Sequence, residues 1–254
     1  MTPDAGLAAK LPAGCRLVVR DAVGSTNDEA RALAQDGAPD LTLVWAKEQL
    51  AGRGRRGRTW RSPPGNLYLS VLLRPTQGAA EASQLGFVAA LAIADAVDRL
   101  LPQGGARLKW PNDVLLGEAK VAGVLMESAG QGRRLDRLIL GLGVNIGSHP
   151  ENLDYPATSL GAQGGAATVP EVLAAVAHAF VAWRERWQAH GFGPLRDAWL
   201  ARAHGLGDRI EVKLADTTLT GTFADLDRDG ALVLRLPGGA TRTVTTGDVL
   251  AAAA

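Results

Sequence analysis

Cysteine is almost missing from this chain. Among 254 residues there is one, Cys15, so an internal disulfide and a cysteine-rich metal site are both excluded. That usage fits a reducing cytoplasm. An excess of either charge is missing too. Lys and Arg number 27 against 26 Asp and Glu, which argues against a protein held to nucleic acid mainly by its overall field. Long apolar runs are lacking: the longest, Leu85 to Ala94, stops at Asp95, short of the ~20 residues of a membrane span. The N-terminal stretch has no basic region followed by an apolar one, so no secretory signal is read there. The four histidines, His149, His178, His190 and His204, are scattered and none belongs to an HExxH pair; surface or helix-end roles are favoured over zinc. No Walker A loop and no repeat of fixed period occurs.

The remaining composition, 46% hydrophobic and 21% charged, is that of a globular chain with room for one large domain and a small one. Strands are expected over "CRLVVRDAV", "LTLVWAK", "NLYLSVLL", "ARLKWP", "DVLL", "VAGVLMES" and "LDRLILGLGVNIG", the last ending in a glycine-rich bend. "GEAK" reads as a hairpin turn. Helices are expected over "TNDEARALAQDG", with Thr26 and Glu29 as a capping box and Gly37 as its end, over "ASQLGFVAALAIADAVDRLL", and over the amphipathic stretch that starts at Thr168 and Glu171. "GPLRDAWLARA" adds a last helix. Beyond Gly207 the texture changes to short alternating segments, a small all-β module of about five strands. The chain divides into 1–206 and 207–254. Without regular βαβ alternation, the larger part is α+β: a mixed sheet with packed helices.

Chemistry concentrates in a few stretches. "GRGRRGR", Gly52 to Arg58, holds three glycines and four arginines. Arginine forks match phosphate and carboxylate oxygens, and glycine lets backbone N–H groups turn to the same anion. An RNA-binding segment has the same composition, but a loop tethered between two strands is better placed to cover a site. "STN", Ser25 to Asn27, is either a plain helix cap or a set of donors and acceptors able to grip a neutral urea-like group. "LKWPNDVLL" interrupts a strand with Pro111 and gathers Lys109, Trp110, Asn112 and Asp113. Lys120 reads equally as an exposed turn lysine. "GLGVNIG" reads as a tight bend or as a place where a flat ring approaches, with Asn145 beside it.

Taken in order, "STN", "EQLAGRGRRGRTWRSPPGNLYLS", "KWPNDVLL", "KVAGVLMES" and "GLGVNIG" resemble the biotin–protein ligases of bacteria. The likeness runs from about Arg16 to the C-terminus. It implies a class II synthetase-like catalytic domain of the biotin/lipoate ligase family, followed by a small SH3-like barrel. It implies activation of biotin by ATP, with Mg²⁺, to biotinyl-5′-adenylate and transfer to a lysine of a biotin carboxyl carrier protein. Few residues precede the first strand, so the ligase-only type is expected, with no DNA partner and no membrane. The oligomeric state is left open, a homodimer included. The resemblance implies Ser25, Thr26, Asn27, Gln49, Arg53, Gly54, Arg55, Trp110 and Lys120 for biotin, and Arg55, Arg58, Asn112 and Asn145 for ATP. Arg53, Arg55 and Lys120 are expected to offset the repulsion between biotin's carboxylate and the triphosphate. Asp113 is expected to accept or position the acceptor lysine's proton. Metal ligands are not identified. The rivals are a lipoate or octanoate ligase, whose ligands lack a urea for Ser25, Thr26, Asn27 and Gln49, and a non-enzymatic RNA-binding protein using the Gly/Arg loop.

Overall fold

The β-branched and leucine-rich runs assemble into two sheets. In the computed structural model, which describes residues 3–131 and 134–251, the first sheet takes β1 (Arg16–Val23), β2 (Thr42–Gln49), β3 (Leu67–Leu73), β4 (Ala106–Lys109), β5 (Asp113–Leu116), β6 (Ala119–Gln131) and β7 (Arg134–Val144). Their order is β1-β2-β3-β7-β6-β5-β4. Only β1 and β2 run parallel, because α2 (Thr26–Gln35) crosses between them. The second sheet is antiparallel, ordered β11-β10-β9-β8-β12. Its members are β8 (Arg209–Lys213), β9 (Thr218–Leu226), β10 (Leu232–Arg235), β11 (Thr241–Val244) and β12 (Asp248–Ala251).

Helices cover the two faces of the first sheet unequally. Ala30 and Ala34 of α2 pack with Val44, Leu72 and Ile139 on one face. The main core lies on the other, where α4 (Leu85–Leu100) and α5 (Val169–His190) meet Leu43, Trp45, Leu69, Val71 and Leu140. Short helices α1 (Pro3–Ala8), α3 (Ala79–Ala82) and α6 (Gly193–Leu200) complete the fold. The alternation of strand side chains makes this division. Side chains of the second sheet, among them Ile210, Phe223 and Leu232, belong to the same continuous core. The helical stretch Ala79–Leu100 has the length and composition to cross a membrane, but 72% of it is buried inside the protein. It is a core helix.

The capping box at α5 forms as its sequence predicts, Thr168 with Glu171. The one expected at α2 does not. The cap there is Ser25, whose side chain accepts from the Asn27 N–H, while Glu29 pairs with Arg20 at 2.7 Å. Thr26 is drawn into the first turn because Gln49 takes both its N–H and its hydroxyl.

Candidate active site

Register on the α2 face builds the site. Paired residues across antiparallel strands share a face, so Asp113, Gly123, Gly143 and Tyr68 form one row, and Leu125, Gly141, Ser70 and Val44 the next. Three glycines in adjacent positions leave a trough. A Cβ at Gly143 would lie 2.5 Å from Trp60 Cε2, and one at Gly141 would lie 2.6 Å from Asn27 Oδ1. The indole of Trp60 and the amide of Asn27 therefore rest on bare backbone.

A buried polar cluster closes one end of the trough. Gln49 Oε1 accepts from Thr26 N at 2.9 Å and from Thr26 Oγ1 at 3.1 Å, and its Nε2 donates to Ser62 Oγ at 2.9 Å. The Ser70 hydroxyl lies 2.8 Å from Thr26 Oγ1 and donates to Asn27 Oδ1 at 2.6 Å. Ser25, Thr26 and Asn27 are all buried. Nδ2 of Asn27 and Nε1 of Trp60 are buried with no hydrogen-bond partner. Buried donors rarely stay unmet in a finished fold, and here two of them share one trough.

At the other end, Lys120 Nζ stands 2.6 Å from Asp113 Oδ1, and 5.4 and 5.5 Å from the ring centres of Trp60 and Tyr155. The Asp113 contact is an ion pair without hydrogen-bond alignment, since Oδ1 has no hydrogen-bond partner. The backbone of Lys120 is held by Pro156 and Thr158.

The Gly/Arg loop lies over this face, its Arg55–Gly57 turn in 3₁₀ geometry. Arg53 makes a two-pronged contact with Asp28, at 2.6 and 2.7 Å, and reaches Glu127 at 3.5 Å. Hydrogen bonding from Arg53, ahead of its charge and that of Arg31, holds the Asp28 carboxyl below its usual range. The same bond, offset in part by burial, raises the Arg53 guanidinium above its ordinary value. Arg55 donates to Asn112 Oδ1 at 3.2 Å and to the Gly247 carbonyl at 3.3 Å. Burial, ahead of opposing attraction from Asp248, lowers its pKa from the ordinary arginine value. Gly54 spends its N–H on the Arg58 carbonyl at 2.7 Å.

The expected residues thus fall into groups. Ser25, Thr26, Asn27 and Gln49 come together, and so do Asp113 and Lys120. Arg55, Arg58 and Asn112 gather at the second sheet. Two residues lie elsewhere than the sequence suggested. Trp110 is 3% exposed and donates its indole N–H to the Gly230 carbonyl at 3.1 Å; the aromatic rings beside Lys120 are those of Trp60 and Tyr155. The side chain of Asn145 is buried and donates to the Thr158 carbonyl at 2.9 Å, fastening the segment that holds Lys120. The sequence does not mark Trp60, Ser70 and Gly123 as site residues, whereas the glycines of "GLGVNIG" read as a place where a flat ring approaches, and the Trp60 ring does lie on Gly143. Trp60 lies two residues beyond "GRGRRGR", whereas Ser70 and Gly123 are brought to the site by register. A cavity of about 1150 Å³ opens on the helix side beside Trp45, Leu100 and His178 and shares no residue with this cluster.

The chain is similar to proteins of known family. The biotin/lipoate A/B protein ligase family matches residues 21–145, and the biotin protein ligase C-terminal domain matches residues 205–250. A biotin–[acetyl-CoA-carboxylase] ligase of Paracoccus denitrificans is 43% identical over 222 residues, covering 85% of this chain and 92% of that protein. A bifunctional ligase/repressor of Bacillus spizizenii is 31% identical, covering 89% of this chain and 71% of its own length. Among solved structures, the biotin protein ligase of Aquifex aeolicus in complex with biotin and ATP superposes with a TM-score of 0.80 at 28% identity, covering 92% of this chain and 97% of that one.

Proposed function

This chain belongs to the biotin/lipoate A/B protein ligase family, and on that premise we propose that it activates biotin with ATP and passes it to a lysine of a biotin carboxyl carrier protein. In the first step a biotin carboxylate oxygen bonds to the α-phosphorus of ATP and pyrophosphate leaves. In the second the lysine nitrogen bonds to the acyl carbon, AMP leaves, and the amine gives up a proton. Residues 1–206 act as the catalytic unit and 207–254 as the C-terminal unit. The protein works in the cytoplasm, with no DNA and no membrane partner, and the reading accommodates a homodimer.

The observation that carries this reading is the pair of unmet buried donors beside the Ser25–Thr26–Asn27–Gln49 cluster. A cyclic urea offers a carbonyl to such donors and N–H groups to neighbouring oxygens; lipoate and octanoate offer neither. Asn27 Nδ2 meets the ureido carbonyl, and Trp60 with Leu125 takes the place foreseen for Trp110 along the apolar chain. Lys120, oriented by Asp113, meets the carboxylate where it joins the α-phosphate. Arg55 and Arg58 meet the phosphates, with Asn112 holding Arg55. Arg53 reaches the reacting acids on leaving Asp28. Preorganised donors at growing charge are often worth about 3 kcal/mol each.

Among the described residues no group of three or more His, Cys, Asp or Glu side chains is placed to hold a metal ion. The residues therefore do not fit an all-protein magnesium site, and the ion that accompanies ATP is left to phosphate oxygens. Incubation with labelled biotin, ATP and a carrier domain tests the whole reading: label on one carrier lysine is expected, and label absent with biotin but present with lipoate overturns it. Asp113→Asn, with Lys120 no longer paired to a charge, is expected to slow acyl transfer. Adenylate and transfer rates both equal to wild type, in single-turnover assays, would remove Asp113 from the chemistry.

A further inference from the structure

The loop arginines that face the second sheet share a single anion. Arg58 reaches Asp248 Oδ2 at 2.5 Å, Arg56 reaches the same oxygen at 3.3 Å, and Arg55 reaches Oδ1 at 3.6 Å. Their remaining contacts are to uncharged oxygens at long range: the Asn112 amide at 3.2 Å and the main-chain carbonyls of Gly247 at 3.3 Å and Lys213 at 3.4 Å. Arg53, by contrast, has the carboxylates of Asp28 and Glu127 and shares them with Arg31. The Asp248 cluster therefore carries surplus positive charge. It is also open: the Arg58 side chain is 60% exposed while that of Asp248 is only 16% exposed. Arg56 takes a left-handed backbone conformation, φ +54°, which is costly for a residue with a Cβ and accompanies its reach to Asp248 and Lys213.

We propose that Asp248 is a placeholder for the phosphate tail of ATP: a positioning residue that gathers Arg55, Arg56 and Arg58 while the nucleotide is absent and yields them when it binds. The inference rests on the ligase reading above and adds Arg56 and Asp248 to it. A polyphosphate presents several oxygens to the same forks and carries more charge than one carboxylate. It cannot share the arginines with Asp248 at these distances without facing another anion. Nucleotide and carboxylate thus compete, and the contact between loop and β12 is lost to the extent that ATP is bound. By linkage, whatever strengthens that contact weakens ATP to the same degree.

Asp248→Asn keeps the shape and removes the charge. Binding of ATP and of inorganic tripolyphosphate to the full chain, measured by calorimetry without biotin, is expected to tighten roughly two- to fivefold, within the range set by partly exposed ion pairs. Amide exchange over 52–58 in the ligand-free variant is expected to quicken. A permanent supporting role predicts the opposite sign for binding, so unchanged or weaker affinity overturns the proposal, as does unchanged loop exchange. Should Asp248→Asn fold poorly, Asp248→Ser must move both readouts in the same directions. Wild-type protein that releases pyrophosphate with biotin and ATP while the variant's affinity is unaltered removes Asp248 alone. Wild-type protein that binds neither anion and releases no pyrophosphate removes the ligase reading, and this inference with it.

Discussion

Single side chains decide what the trough admits. Asn27 keeps a free N–H because Ser70 and Gly141 fix its amide from the other side. Asn27→Ala is expected to weaken biotin about tenfold or more, the scale of one desolvated hydrogen bond lost from a buried site, with ATP affinity little changed; titration calorimetry on each ligand checks this. Gly143→Ala puts a methyl group where the Trp60 ring now lies. The ring must lift, so the KM for biotin is expected to rise while that for ATP holds, measured by pyrophosphate release. At this scale the sequence was only partly legible. "STN" and the arginines announce polar chemistry by residue type. "GLGVNIG" announces a close approach at Gly141 and Gly143 without saying what approaches, and Ser70 and Gly123 look like ordinary strand residues until their partners across the sheet are known.

Elements were easier to read than their roles. Alternation and turn residues place nearly every strand, and Thr168 with Glu171 marks the start of α5. β12 closes the second sheet: it pairs with β8 and carries Asp248. Pairing between residues 35 to 41 apart in the chain supplies what local pattern lacks. β3 also does more than span the sheet. Its Tyr68 donates to the Pro63 carbonyl at 2.7 Å, tying down the segment that follows the Gly/Arg loop. Burial pushes the Tyr68 phenol up to about 12. An unfolded tyrosine loses its proton near pH 10, so between about 10 and 12 the unfolded chain ionises first and stability falls as pH rises. Thermal melts across that window are expected to decline less steeply for Tyr68→Phe than for wild type.

At the scale of the molecule, the two sheets share an interior. Phe87 stacks edge-on against Phe192 and Trp199, and Trp199 adjoins Phe223 of β9. Arg196 of α6 bonds the Leu226 carbonyl at 2.7 Å and the Asp225 carboxylate, and Trp110 reaches Gly230. Trp110→Phe is expected to cost about 1 kcal/mol of stability, the net worth of one hydrogen bond, and to leave biotin affinity within about twofold; urea unfolding and calorimetry together test it. A change of texture after Gly207 announces a second unit, but nothing in that change shows how tightly the unit is built in. Its turn at Gly230, φ +88°, has a place for a Cβ only 2.5 Å from the Phe87 ring. A chimera that borrows the C-terminal sheet from a distant relative must therefore import the matching aromatic socket as well, or it will begin with a steric misfit at its centre.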